Sequence, residues 1–176
     1  MLHYSWSNAR AAHPRRDPPE NETIERTARL QARHSARCEF VSTSDLTQAR
    51  AERALERDAF DEAVATATDA VEQSRARGRP KYEALGLITR ARGLHARART
   101  REAIADATTA VGVADRLGDP ALLLLALDPL IGLDRTDELA TQARALTDRA
   151  SESLPDEVMR RCFTESEVVQ RIRGCR

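Results

Sequence analysis

Residues 79–120 read RPKYEALGLITRARGLHARARTREAIADATTAVGVADRLGDP, and two apolar patterns of helical period lie within them. The apolar side chains of each pattern recur at three- and four-residue spacing, which places them on one face of a helix. The first pattern consists of Tyr82, Leu85, Leu87, Ile88, Ala91 and Leu94. The second consists of Ala103, Ile104, Ala107, Ala110, Val111, Ala114 and Leu117. The segment therefore predicts two helices of similar length with a short polar turn between them.

Turn-forming residues mark the ends of these two helices. Gly78 tolerates the positive φ that often ends a helix, and Pro80 lacks only an amide hydrogen that the first helical turn leaves unbonded. Thr100 is the predicted N-cap of the second helix, because its hydroxyl can accept a bond from an amide of the first turn. Residues that end one helix and start the next recur after the second helix, namely Gly118, Asp119 and Pro120. We therefore predict an αα-hairpin at residues 80–117.

The pattern of this hairpin recurs on both sides of it. Three similar triplets open the predicted second helices, namely Asp61-Glu62-Ala63, Arg101-Glu102-Ala103 and Asp137-Glu138-Leu139. The triplets follow one another at 40 and then 36 residues, and the small residues after them keep similar offsets. Such a period is typical of helix-pair repeats. The sequence therefore predicts an all-α chain of three αα-hairpins, at about residues 43–77, 80–117 and 120–153.

The N-terminal part of the chain divides into two predicted segments. Residues 1–20 carry three prolines among arginines and polar residues without helical or strand periodicity, which predicts a disordered tail. Residues 21–38 contain favourable i, i+4 ion pairs and predict a helix with a thin apolar face. The first hairpin is expected to begin at Ser42, because Ser42 and Asp45 resemble a capping box. Residues 21–176 are predicted to form one helical repeat domain.

The C-terminal part is expected to depart from the repeat. Pro129 lies inside the first helix of the third hairpin, where a proline removes one hydrogen bond at a cost of ~3 kcal/mol. We therefore expect a break near Asp128. Capping helices are predicted at residues 155–173, because a helical array needs its last apolar face covered. The side chains expected to cover it are Val158, Met159 and Cys162 or Phe163.

The charge of the chain is balanced in total but segregated along the sequence. With 28 basic and 28 acidic residues, the net charge of zero argues against a general nucleic-acid or membrane binder. Residues 75–101, however, contain nine basic residues and a single acidic one. Clustered arginines bind acidic peptide segments or phosphate groups through charge-assisted hydrogen bonds. The alternative is a solvated basic face that complements a helix C-terminus.

The candidate partner-binding residues are basic side chains expected to project from the first helices of the hairpins. They are Arg50, Arg53, Arg57, Arg90, His95 and Arg97. A protein partner is expected, with an acidic segment as one option. Nucleic acid is disfavoured because Tyr82 is the only aromatic residue in the basic stretch, which leaves little for stacking on single strands.

Other chemistries find little support in the sequence. His34 and Cys38 could share a helix face, but a metal would need two further ligands and no second pair is in view. Three cysteines without disulfide or zinc spacing indicate a reducing compartment, and we expect a cytoplasmic protein. The longest apolar run, residues 121–127, is far short of the ~20 residues that span a bilayer. Without a catalytic motif or a glycine-rich phosphate loop, we expect no enzyme activity, no metal and no cofactor.

The alanine positions carry a resemblance to a known repeat family. A second helix with alanine near its start, middle and end resembles that of the tetratricopeptide repeat. When the central hairpin is aligned on Ala103 and Ala110, Ala91 falls at the small position of the first helix and Leu94 at the large position after it. The hallmark early tryptophan is replaced by Leu87. The resemblance implies an α-solenoid built from hairpins.

Three further segments resemble the C-terminal helical-repeat region of large bacterial signalling proteins. They are residues 79–82, 116–120 and 154–163. In those proteins a regulatory ATPase, a nucleotide cyclase or a DNA-binding module precedes the repeats. The resemblance implies a scaffold or regulatory module that binds a partner peptide or helix on a concave face lined by the first helices. The alternatives it leaves are a small-molecule-sensing regulatory domain and a truncated remnant of a larger regulator.

Overall fold

The computed structural model describes residues 39–174, and the side chains of residues 46–174. The predicted tail at 1–20, the predicted helix at 21–38 and the His34 and Cys38 pair lie outside the described residues. Eight helices and no strand occur in the described part. The helices are α1 (Glu39–Glu56), α2 (Phe60–Ala76), α3 (Pro80–Ala96), α4 (Thr100–Leu117), α5 (Pro120–Leu133), α6 (Asp137–Ser153), α7 (Glu157–Glu165) and α8 (Glu167–Gly174).

Helices that follow one another in sequence pack against one another in space. Each of α1 to α7 contacts the next helix, and in addition α1 contacts α3 and α3 contacts α5. The second helices α2 and α4 both pack against α3 without packing against each other. The prediction of an all-α fold with packed adjacent helices is therefore confirmed for the described residues. We call the contacting helices α1, α3 and α5 the first-helix row.

The turns that follow α1, α2, α3 and α4 share one backbone geometry. Gly78 and Gly118 adopt positive φ of 61° and 63°, as expected for glycines after a helix. Asp58 and Ala98 adopt φ of 60° and 59° at equivalent places, which the sequence did not signal. After three of these helices an amide bonds back to a carbonyl five residues earlier at 2.9 Å, namely Ala59 to Ala54, Arg79 to Ser74 and Arg99 to Leu94. These bonds satisfy the last carbonyls of each helix.

The helix starts agree with the prediction at Asp119 and differ at two other places. The Asp119 carboxylate accepts a hydrogen bond from the Leu122 amide at 3.1 Å, as an N-cap does. Thr100 is not an N-cap, because the tight turn places that position at Arg99, which makes no side-chain capping bond. Ser42 is not one either, since α1 is already helical at Glu39.

Small side chains let α3 lie directly against α2. A Cβ atom added at Gly86 would lie 2.9 Å from Cγ2 of Val71, and one added at Gly93 would lie 2.8 Å from Cγ2 of Val64. The glycines are seven residues apart on α3 and the valines seven apart on α2, so the two contacts repeat along the interface. Alanines fill much of the remaining core at full burial, including Ala63, Ala67, Ala84, Ala91, Ala103, Ala107 and Ala110.

The expected break at Asp128 is wrong, because α5 continues through Pro129 to Leu133. The proline is fully buried, and apolar side chains anchor the helix on both sides of it. Leu127 is 0% exposed and Leu130 is 4% exposed. Because packing holds both halves of α5 in place, the loss of one backbone bond does not end the helix.

The end of the stack is covered by α8, with α7 contributing little. No residue of α7 is buried, and Val158 and Met159 are 60% and 50% exposed. In α8, Val169 and Ile172 are each 1% exposed, and Ile172 packs in a cluster with residues of α5 and α6. The expectation that Val158 and Met159 cover the stack is therefore wrong. Only Phe163 of α7 packs against that cluster.

Replacement of Gly93 by alanine should destabilise the fold. Overpacking typically costs 1–3 kcal/mol, while alanine gains about 1 kcal/mol of helix propensity over glycine, so we expect a net loss of about 1 kcal/mol. Urea denaturation followed by circular dichroism measures this loss. Gly112→Ala is the matched control, because its Cβ would meet only Nη1 of Arg116 at 3.6 Å. Stabilisation by both variants would contradict the close approach of α2 and α3.

Replacement of Asp119 by alanine should destabilise the protein in a pH-dependent way. The Leu122 amide and then the Lys81 ammonium favour the ionised carboxylate and lower the pKa of Asp119. Loss of such an N-cap costs about 1 kcal/mol. Because the native pKa is lowered, the contribution is present above the unfolded pKa of about 3.9 and is lost as the pH falls through the native pKa.

Denaturation of wild-type protein and Asp119→Ala at pH 7 and at pH 3 measures this difference. Asp119→Asn is the control, because it keeps a capping oxygen without the charge. A stability difference of equal size at both pH values would contradict an ionised cap.

Candidate partner-binding surfaces

The basic stretch of residues 75–101 does not form an open basic patch in the structure. Carboxylates approach most of its cations, and all of these carboxylates except Glu83 lie outside the stretch. The ion pairs are Arg75 to Glu83 at 2.8 Å, Lys81 to Asp119 at 3.0 Å, Arg97 to Asp61 at 3.0 Å and Arg99 to Glu102 at 2.7 Å. The Arg79 guanidinium lies 5.1 Å from the ring centre of Tyr82. An acidic partner would have to compete with these intramolecular groups.

Arg90 has the most extensive of these contacts. Its Nε and Nη2 atoms donate to the two carboxylate oxygens of Asp106 at 2.6 and 2.8 Å, and Nη1 donates to Thr68 Oγ1 at 3.4 Å. The side chains of Arg90 and Asp106 are only 20% and 14% exposed. The hydrogen bond to Asp106 raises the pKa of Arg90, which therefore stays charged. Arg90 joins α2, α3 and α4, so it does not project into solvent.

The turn at Ala98 explains how this pair forms. Arg90 lies eight residues before Ala98 and Asp106 lies eight residues after it. In a hairpin whose helices run antiparallel, positions equidistant from the turn lie side by side. The pairing was therefore encoded in the spacing. The apolar periods within each helix predict instead that Arg90 projects from a first helix, because such periods carry no information on contacts with the next helix.

The other sequence-predicted residues lie in different surroundings. Arg57 donates to both carboxylate oxygens of Glu62 at 3.1 and 3.3 Å, and its Nε approaches the carbonyl of Arg53 at 3.4 Å. Arg50 is exposed and Arg53 is partly buried. His95 is partly buried, and its Nδ1 atom has no hydrogen-bond partner. The described contacts bring Arg53 and Arg57 together but do not gather the six residues into one site, so their role in binding stays a prediction.

A cleft of about 240 Å³ lies between α2 and α4 with α3 beneath it. We call it the central cleft, and it is lined by Val64, Thr68, Arg90, Leu94, Arg99, Glu102 and Asp106. Arg99 donates from Nε and Nη2 to the two oxygens of Glu102, both at 2.7 Å, and this lowers the pKa of Glu102. The cleft therefore combines apolar walls with two arginine–carboxylate pairs.

A second surface lies on the first-helix row. Tyr82, Leu85 and Arg92 occupy one face of α3 at spacings of three and seven residues, and each is partly exposed. Leu125 on α5 is also partly exposed and lies 40 residues after Leu85, one repeat later. Glu52 on α1, 40 residues before Arg92, is exposed. These five residues are the row surface.

Asp128 forms a buried ion-pair network beneath the row surface. Its side chain is 3% exposed, and Arg171 of α8 donates to both carboxylate oxygens at 2.8 Å. Arg92 of α3 approaches the same carboxylate at 3.3 Å. One acidic residue thus joins α3, α5 and α8. Sequence periodicity does not predict this network, because Arg171 lies 43 residues from Asp128.

Comparison of the chain with protein-family models, with curated proteins and with solved structures finds no match. The resemblance to tetratricopeptide repeats therefore stays a prediction. Among residues 39–174, no helix combines the length and apolarity needed to cross a bilayer. Within the same range, no group of three or more histidine, cysteine, aspartate or glutamate side chains is placed to hold a metal ion.

Replacement of Arg171 by methionine should destabilise the fold strongly. Removal of one partner from a buried ion pair typically costs 3–5 kcal/mol, and Arg92 remains beside Asp128, so we expect a loss of about 2–3 kcal/mol. Arg173→Met is the matched control on the same helix. Arg173 meets Asp148 at 3.5 Å and both side chains are well exposed, so its loss should change stability by less than about 0.5 kcal/mol. Equal effects in chemical denaturation would show that the Asp128 network does not hold α8.

Proposed function

We propose that this chain is a regulatory module that binds another protein on the row surface of a tetratricopeptide-like helical array. The observation that carries the proposal is the side-by-side packing of α1, α3 and α5, which aligns equivalent residues of successive hairpins. Contacts of this kind between first helices create the extended binding surface of helical repeat proteins. The absence of a catalytic motif in the sequence agrees with a binding role.

The residues of the row surface suit an amphipathic partner helix. Leu85 and Leu125 offer partly exposed apolar anchors one repeat apart, and both rest on the main core cluster. Arg92 and Glu52 supply one charge of each sign beside them. Helices bind in grooves through apolar anchors spaced along one face, with charges setting orientation. We therefore favour an amphipathic helix over a purely acidic segment, for which Arg90 and Arg97 would have to leave Asp106 and Asp61.

The buried Asp128 network restricts the position of Arg92 on the row surface. Arg92 contacts Asp128, which Arg171 fixes in turn with two hydrogen bonds at 2.8 Å. A partner that contacts Arg92 would therefore meet a side chain whose position is already restricted. Such pre-organisation lowers the entropy cost of association.

The central cleft supports a second candidate function, the sensing of a small molecule. Its volume of about 240 Å³ and its mixture of Leu94 and Val64 with two arginine–carboxylate pairs would suit a small zwitterion. A ligand of this kind would bind only the folded protein and would raise the melting temperature with concentration. A thermal-shift screen with amino acids and related zwitterions tests this alternative. Under either function the chain would act as a regulatory part, alone or as a remnant of a larger cytoplasmic regulator.

Substitution of the row surface should abolish partner binding. In the variant Leu85→Gln/Leu125→Gln the apolar anchors become polar while side-chain length and helix propensity are kept. Affinity purification from cell extract with wild-type and variant protein, followed by quantitative mass spectrometry, identifies proteins retained only by the intact row surface. We expect at least a tenfold loss of the partner, because two apolar anchors together contribute more than about 1.4 kcal/mol.

The matched control is Ile104→Gln/Val111→Gln, which changes two partly buried apolar residues of α4 away from the row surface. The candidate partner is then purified and titrated directly against wild-type protein and both variants. Equal retention by the two variants would remove the row surface as the binding site. Stabilisation by a zwitterion without any partner that depends on Leu85 and Leu125 would favour the sensing function instead.

A further inference from the structure

The helix α8 takes the position that a first helix takes in the other hairpins. α3 packs against both helices of the first hairpin, α1 and α2, and α5 packs against both helices of the second, α3 and α4. In the same way α8 packs against α5 and α6, the two helices of the third hairpin. The face of the third hairpin beneath α8 is therefore a surface that receives a helix. We call this face the α8 groove, and its buried apolar residues are Leu124, Leu127, Ile131, Ala143 and Leu146.

α8 covers this groove with few contacts. It has eight residues, whereas α5 has 14 and α6 has 17. At 1.5 Å per residue α8 is about 12 Å long and α6 about 25 Å long. The buried residues of α8 are Val169 and Ile172. Leu123 of α5 and Leu139 of α6 pack against the apolar cluster of the groove and stay partly exposed. A longer helix in the same place would therefore bury more apolar surface than α8 does.

The link between α6 and α8 allows α8 to move without the rest of the array. α7, which forms this link, has no buried residue, and of its side chains Phe163 packs against the groove. The two other core clusters of the described residues contain no residue of α7 or α8. Segments with few buried contacts open at a lower free energy than global unfolding. Departure of α8 would therefore uncover the α8 groove while the packing among α1 to α5 persists.

A buried carboxylate determines which helices the groove accepts. The side chain of Asp128 on α5 is 3% exposed, and Arg171 of α8 donates to both of its oxygens at 2.8 Å. A helix without a cation at this place would remove one partner of a buried charge, which is strongly unfavourable. A guanidinium matches both oxygens of a carboxylate at once, whereas an ammonium does not. The groove therefore selects a helix with an arginine beside its apolar face.

We propose that the α8 groove is a second helix-binding site, which α8 occupies until an amphipathic helix of another protein displaces it. The partner helix carries two branched apolar residues three positions apart and an arginine directly before the second, as Val169, Arg171 and Ile172 do. It is longer than α8, so additional apolar contacts along the groove compensate for the tethering of α8 to the chain. The α8 groove contains none of the five residues of the row surface, so the proposal does not rest on the function of that surface.

A full chain with Val169→Gln, Arg171→Gln and Ile172→Gln, which we call the release variant, tests whether α8 can leave the groove. We expect the release variant to keep a cooperative unfolding transition, because the array stays packed without α8. In wild-type protein, hydrogen exchange should show α8 amides at least tenfold less protected than those of α3. A release variant without cooperative unfolding would overturn the proposal, as would equal protection of α8 and α3.

Binding is measured with a fluorescein-labelled peptide of 17 residues, the length of α6. The peptide, which we call the probe helix, keeps the sequence from Glu167 to Arg173 and adds one leucine a turn before Val169 and another a turn after Ile172. Fluorescence anisotropy should give a dissociation constant on the order of 10 µM for the release variant and at least tenfold weaker binding to wild-type protein. Saturating probe helix should also lower the protection of α8 in wild-type protein. Equal affinity for the two proteins, or no binding to the release variant, would overturn the proposal.

Two substitutions in the probe helix test the role of the arginine. Arg171→Met in the probe should weaken binding to the release variant at least tenfold, because Asp128 then loses its bidentate partner. Arg173→Met is the matched control and should change the affinity less than about twofold, because Arg173 meets the exposed Asp148 at 3.5 Å. Equal losses with both peptides would overturn the selection by Asp128. A wild-type dimer at about 500 µM that the release variant does not form would assign the groove to a second copy and would overturn the proposed partner.

Discussion

The close approach of α3 to its neighbours is the constraint on which the rest of the described structure depends. This helix contacts α1, α2, α4 and α5, so a large side chain at its seams would separate several elements at once. Gly86 and Gly93 place its backbone within side-chain reach of Val71 and Val64. Buried alanines fill the interface between α3 and α4. The abundance of small residues in the sequence is therefore a requirement of packing, beyond its benefit for helix propensity.

The charge of the chain is segregated along the sequence. Because the helices pack closely, it is nevertheless balanced in space. A stretch with nine basic residues and one acidic residue lies between helices that present carboxylates on their facing sides. Arg90 meets Asp106 across a hairpin and Arg92 meets Asp128 across the first-helix row. The partly buried pairs also stiffen the contacts between helices. Net charge along a sequence window is thus a poor guide to the surface potential of a helical stack.

Features that depend on a few neighbouring residues could be predicted from the sequence. Positive φ at Gly78 and Gly118 and the cap at Asp119 follow from local chemistry, and the helix periods follow from the spacing of apolar residues. The positive φ of Ala98 could not be predicted, because alanine rarely adopts it and the packing of the flanking helices imposes it. Asp58 carries only a weak signal, since aspartate adopts this conformation occasionally.

Contacts of the site residues also become harder to predict as the partners lie further apart in the sequence. The pairing of Arg90 with Asp106 was within reach, since both are equidistant from a turn. The network of Asp128 was not, because it requires the position of α8, which only the tertiary fold supplies. Pro129 shows the converse case, in which a strong local signal for a break yields to the packing of Leu127 and Leu130.

The recurrence of one backbone conformation at Asp58 and Ala98 bears on how such a chain can change in length. These residues are 40 apart, and each leaves a helix of the first-helix row with φ near 60°. Duplication or deletion of the intervening segment would therefore rejoin the chain between matching dihedral angles and between helices that already fit one another. Growth or shrinkage by whole hairpins is the evolutionary change that this geometry makes easiest, whereas an insertion of a few residues within α3 would move Gly86 and Gly93 out of register with Val71 and Val64.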